Sequence, residues 1–302
     1  MSLREPPAPL PQAEKIPTLQ QRPLLLQASH LSDGARSGAK LMPGAVWQPA
    51  GGMTIEVDCA GVFPKNSFMP DYGQRASDVI ANADAYHHAY YEVKTFGGPS
   101  LYFHRKSLEA GAATDFTRRL EYVYATLTAW GMHRMGRGGS KMLPFDEFQT
   151  SMMPLQDRIR EAARLQPPDM TDEDWANIEA IFKGIRVMAS GTSIVGNSKV
   201  LAHLIPNIVP PIDREYTLRF LRGHTNIANG LDEEWSLMKE LIAQFFIPVS
   251  SETAFQAKAK AWLSDQTRYP WDTSVLKIID NLIIGRGKLQ APRKAKTIRP
   301  SD

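Results

Sequence analysis

Lys199 and Asp213 are the residues whose types and spacing point most directly to chemistry. The pattern Val200, Leu201 and Leu204 predicts a short helix from Asn197 to about Ile205, opened by a glycine turn at Gly196, with Lys199 near its amino end. The first amides of such a helix have no intrahelical partner, and its dipole favours negative charge there. That end of the helix is therefore a ready anion site. A proline-stiffened crossing from Pro206 to Pro211 then delivers Asp213 to the start of the next helix, read as Asp213 to Leu221. A carboxylate there can stabilise a developing cation or orient a water, and it can equally be a helix cap and no more.

The elements that must position these groups are predicted to be helices. Thr171 to Asp174 is a start signal for a helix from Trp175 to Met188, and Gly191 breaks the chain before Lys199. Asp115 to Met135 carries the stripe Phe116, Leu120, Val123, Tyr124 and Leu127, and Gly136 ends it. Near that end Trp130, His133, Arg134 and Arg137 adjoin a glycine-rich loop running to Lys141, which makes the best basic patch with aromatics in the body of the chain. His133 also fits an ordinary structural histidine.

Upstream, a helix is expected from Arg75 to about Lys94, with Tyr86 and Tyr90 on its inner face. Phe96 to His104 then reads as a glycine-proline turn and an extended segment. On one side of a strand, Tyr102 and His104 could stack on and hydrogen-bond a base, or they could plug a helical core. Asp232 to Ile247, Glu252 to Leu263 and Ser274 to Ile284 complete the helices, the last expected to be capped by Asp272.

At 302 residues and 43% hydrophobic composition the chain has ample material for a core. Residues 1–51, with eight of the 22 prolines before position 50, read as an irregular arm. The helical domain is expected over 52–285. Residues 286–302 read as a basic tail whose six basic residues and one acid give +5, so with a net charge of +3 the remainder sums to −2. Any nucleic-acid face must then be a local patch plus this tail, which otherwise is a solvated end. Cys59 is the only cysteine, which excludes an internal disulfide and a four-cysteine iron–sulfur cluster. The seven histidines show no metal-ligand spacing, and no apolar run reaches membrane-spanning length. A soluble, cytoplasmic, monomeric protein without metal or cofactor is expected.

Val195-Gly196-Asn197-Ser198-Lys199, followed by a helix and by Pro211-Ile212-Asp213, resembles the helix-hairpin-helix and Gly/Pro-Asp signature of the DNA base-excision glycosylases. The resemblance covers about thirty of 302 residues. It implies an all-α fold of two helical lobes around a cleft, double-stranded DNA as partner, and excision of a damaged or modified base from an extruded nucleotide. A phage-defence member acting on modified cytosines falls within that class. Carried over, the hairpin at Gly196, Asn197 and Ser198 grips a phosphate, Lys199 adds charge, and Asp213 serves beside the sugar. Arg214, Arg137 and Lys141 would be DNA contacts, and Tyr102, His104, Trp130 and His133 the base pocket. Ser198 stands where bifunctional members carry their amine, so a monofunctional enzyme is expected. The alternatives are a phosphate-gripping module without chemistry and a helical interaction protein.

Overall fold

The computed structural model describes residues 71–92, 97–111, 115–136, 139–189 and 191–290. The arm over 1–51, Cys59, Arg137 and the tail from 291 onward lie outside the described residues.

The fold is all-α, and among the described residues the two strands, β1 (Met135–Gly136) and β2 (Gly139–Ser140), are two residues each. Helix α1 (Tyr72–Ala81) is capped by Asp71, whose carboxylate accepts the Gln74 N–H. The single helix expected over 75–94 is two, because the chain turns at Asn82 before α2 (Ala83–Glu92). The extended aromatic segment is instead helix α3 (Pro99–Glu109), entered through Gly98 at φ +58° with Pro99 at its first position, where a missing N–H costs nothing. Helix α4 (Phe116–Ala129) stops before the expected Met135, as Gly131 takes φ +78°.

Pro154 divides the next stretch into α5 (Phe145–Met152) and α6 (Gln156–Ala162). A capping box of Thr171 and Asp174 starts α7 (Asp172–Gly184). That helix ends early because residues 187–189 pair with 141–143: Leu143 donates to the Val187 carbonyl at 3.0 Å and Ala189 to the Lys141 carbonyl at 2.9 Å. Helix α8 (Ile194–Leu204) follows.

A π-helical turn (Arg214–Leu218) runs into α9 (Arg219–Arg222), and a second (Ile242–Phe246) joins α10 (Leu231–Leu241) to α11 (Ile247–Ser251), so Pro248 opens a helix rather than stopping one. Helix α12 (Thr253–Ser264) precedes α13 (Val275–Gln290), which is capped by Ser274 rather than Asp272. Residues 286–290, read as tail, thus belong to α13, and Arg286 is bonded to Asp78 at 2.7 Å. Among the described residues no helix is long and apolar enough to cross a membrane.

One apolar core runs from Val79 on α1 to Ile283 on α13, and a small satellite of Tyr90, Trp271 and Ile284 sits beside it. Buried almost all round, α13 lies so close along α2 that a Cβ on Gly285 would overlap the carbonyl oxygen of Tyr86. Overlap with backbone cannot be relieved by a rotamer change. Gly285→Ala should therefore cost about 3 kcal/mol or more and lower the melting temperature by several degrees in thermal denaturation. A wild-type melting curve would show that α2 and α13 can move apart freely.

Candidate active site

Lys199 and Asp213 do meet. The Lys199 Nζ lies 3.8 Å from Asp213 Oδ2, with the lysine side chain 13% exposed and the aspartate 36%. The two oxygens of Asp213 have separate tasks. Oδ1 caps the π-helical turn, accepting the Glu215 N–H at 2.8 Å and the Tyr216 N–H at 3.2 Å, while Oδ2 faces the amine. The cap reading and the site reading of this residue are therefore compatible, and the first orients the carboxylate for the second.

Both groups line a cavity of about 340 Å³, within the range of small-ligand pockets. Its walls are Tyr90, Trp130, Trp271 and Tyr216, with Asp280 inside and Arg134 at its edge. The amine stands 5.9 Å from the Trp130 ring centroid. Burial pushes the Lys199 amine below the usual lysine range, opposed by the negative charges of Asp213 and Asp280 and assisted by Lys277. Burial likewise raises the Asp280 carboxyl, against the pull of Lys277, whose Nζ lies 2.8 Å away.

Behind Trp130 two histidines are locked as neutral tautomers. A carbonyl can only accept, so His203 Nδ1, 2.6 Å from the Lys199 carbonyl, carries the proton and Nε2 is left to accept. His104 Nδ1 donates to that Nε2 at 2.9 Å, and His104 Nε2 in turn accepts from the Thr273 hydroxyl at 3.1 Å. Arg119 closes the carboxyl end of α8 by donating to the His203 and Leu204 carbonyls. Desolvation holds His203 at about 4, with Lys277, Arg119 and Lys199 adding repulsion, and it pushes His104 well below its ordinary value.

Several expectations need correction. Gly196 is not a turn: it lies inside α8, where a Cβ would come within 2.6 Å of Met188 Cγ, and the turn before that helix is made by Gly191, at φ +81°. The amino end of α8 is also no open anion site, because the buried Glu234 carboxylate accepts the Ile194 N–H at 2.6 Å. Asn197 and Ser198 are buried ties. The Asn197 amide donates to the Phe182 carbonyl, and Ser198 Oγ accepts the Ile212 N–H at 3.1 Å. The Ser198 hydroxyl therefore faces the core, and Lys199 faces the cavity. Tyr102 and His104, two apart on a helix rather than a strand, point different ways: Tyr102 is 56% exposed, and His104 is buried against Trp271. His133 is exposed, bonded at Nδ1 to the Thr128 carbonyl.

No family model, curated protein or solved structure matches the chain.

Beside the cavity a groove shares its rim residues Gly131, Arg134 and Asp213 and is further lined by Lys141, Thr192 and Arg214. Arg214, which donates to Thr192 Oγ1 at 2.6 Å, and Lys141 are thus brought to the cavity's flank, while Arg137 lies outside the described residues. Sequence reasoning did not single out Trp271, Asp280 or Lys277. The signal was present in α13, where Lys277, Asp280 and Asn281 interrupt an otherwise apolar helix at i, i+3 and i+4.

The histidine pair sets a pH dependence. Unfolded His203 takes up a proton near 6.5, whereas the folded form stays neutral to about 4, so the unfolded state binds more protons in between. Stability should fall as pH drops from 6.5 to 4, by roughly 3 kcal/mol for this residue alone, with His104 acting in the same direction. Denaturant titrations across that range should show the loss, and His203→Asn should flatten it; an unchanged slope in the variant would assign the loss elsewhere.

Proposed function

We propose that this chain is a DNA glycosylase that extrudes a nucleotide, holds its base between the aromatic walls of the cavity and cuts the N-glycosidic bond. The observation that carries the reading is the Lys199 amine facing Asp213 Oδ2 across 3.8 Å inside that cavity. A helix-hairpin-helix formed by α7, its connection through Gly191, and α8, with helical lobes around a cleft, belongs to the same reading. So does excision of modified cytosines in phage DNA, as one substrate among others.

The chemistry follows from the two groups. A buried lysine is more readily neutral, and a neutral amine is a nucleophile. Lys199 Nζ attacks the anomeric carbon as the bond to the base nitrogen breaks, and the electron pair of that bond leaves with the base, which takes a proton from water. Asp213 Oδ2 stabilises the positive charge on the sugar and takes the proton released by the amine. Opening of the sugar ring, with that proton passing to the ring oxygen, gives an imine between Lys199 and the sugar. The enzyme in this scheme is bifunctional.

Incubation with duplexes carrying damaged and modified bases, with borohydride present, tests the scheme. A trapped protein–DNA adduct is expected, and Lys199→Gln should abolish it. Asp213→Asn keeps an acceptor for the cap and loses the charge, so base release should slow on the order of a hundredfold, about 3 kcal/mol of barrier, at unchanged DNA affinity and melting temperature. Base release with no adduct would reassign the attack to a water oriented by Asp213. Duplex binding without release from any substrate would leave a DNA-binding protein only.

The flanking groove supplies the phosphate contacts in this scheme. Lys141→Glu and Arg214→Glu should weaken binding to all duplexes alike and reduce the salt slope by about one per contact. Unchanged affinity and slope in both variants would remove the groove from the interface.

A further inference from the structure

Asp280 is a buried carboxylate of the cavity that the scheme above leaves unused. It is 4% exposed and sits on α13 among the walls Tyr90, Trp130 and Trp271. Lys277 takes one of its oxygens, Oδ2, at 2.8 Å, and among the described residues no donor takes Oδ1. Lys277 is itself held: it also donates to Asn281, and its ammonium stands over the rings of Tyr90 and Trp271 at 5.7 and 6.0 Å. The carboxylate is consequently fixed in place by a partner that cannot swing away to meet an occupant. Asp213 does not substitute for it, since its Oδ1 is committed to the cap and its Oδ2 serves the amine and the sugar in that scheme.

An ionised carboxylate only accepts, and Lys277 uses one of its roughly four lone-pair positions. An occupant that strips water from a carboxylate oxygen lining the cavity must offer a donor in exchange, which an amino group supplies and a carbonyl does not. We infer that Asp280 selects the base, and that the base presents an exocyclic amino group to it. The class comprises cytosine-, guanine- and adenine-type bases, as against their carbonyl counterparts of the uracil and xanthine types. This inference rests on the glycosylase reading.

The test uses matched duplexes that differ only in that edge: 5-hydroxymethylcytosine against 5-hydroxymethyluracil, and guanine against xanthine. Each base is set opposite an abasic analogue so that extrusion costs are alike. Single-turnover excision by the full chain should favour the amino member of any pair that is cut, by about tenfold or more. Asp280→Asn, whose amide can donate, should close the gap by accelerating the carbonyl member. Equal or faster excision of the carbonyl members by the wild type would overturn the inference and leave the glycosylase reading standing. That ratio decides the matter even if Asp280→Asn fails to fold. No excision and no borohydride-trapped adduct with any of these duplexes, or with the damaged-base panel, would remove the glycosylase reading and this inference together.

Discussion

Three ionisable side chains, Lys199, Asp213 and Asp280, line one aromatic-walled cavity, with Lys277 paired to Asp280, and much of the surrounding structure answers that constraint. Removing an ion from water costs several kcal/mol unless it is paired and its remaining hydrogen-bonding sites are filled. Lys277 and Asp280 satisfy the condition at 2.8 Å and extend it through Asn281, whose amide donates to Asp272 Oδ1 while Asp272 Oδ2 meets His87 Nε2 at 2.7 Å. Lys199 and Asp213, at 3.8 Å, satisfy it only loosely. A loose pair in a partly dry site costs stability and leaves the amine and one oxygen available to a third group, which is the arrangement expected of groups that react rather than support.

The helices are arranged so that these groups cannot relax. The aspartate is held by its own cap bonds, and Ser198 ties the crossing before it to α8 through the Ile212 N–H. Helix α8 is fixed at one end by Glu234 and at the other by Arg119, and the neutral histidine pair braces it against α3. Close packing of α13 on α2 at Gly285 then brings Tyr90 and Asp280 to the same wall, with Lys277 paired to Asp280. Neutrality of His104 and His203 also matters for the amine, because a proton on either ring would add a positive charge close to Lys199.

Local errors in reading the sequence had a common origin. Gly196 has the look of a turn residue, yet it is a glycine because Met188 leaves no room for a side chain. Tyr102 and His104 alternate as strand residues would, but proline at the first turn and the long-range bonds of His104 stabilise a helix there. Asn197 and Ser198 are polar residues that serve backbone groups far along the chain, at Phe182 and Ile212. In each case the deciding contact is non-local, and short-range pattern is blind to it.

By itself the sequence determined the all-α class, most helices and several of their caps, because apolar periodicity and capping chemistry act over a few residues. It also singled out Lys199, Asp213 and Trp130, whose local context is unusual enough to stand out. Only the tertiary structure decided that Lys199 and not Ser198 faces the cavity, that Glu234 occupies the helix end offered to a phosphate, and that Trp271 and Asp280 complete the walls. Those outcomes depend on how α13 lies against α2 and on which face of α8 is turned inward. Such choices minimise buried polar cost over the whole molecule, and no window of sequence contains both sides of the contact.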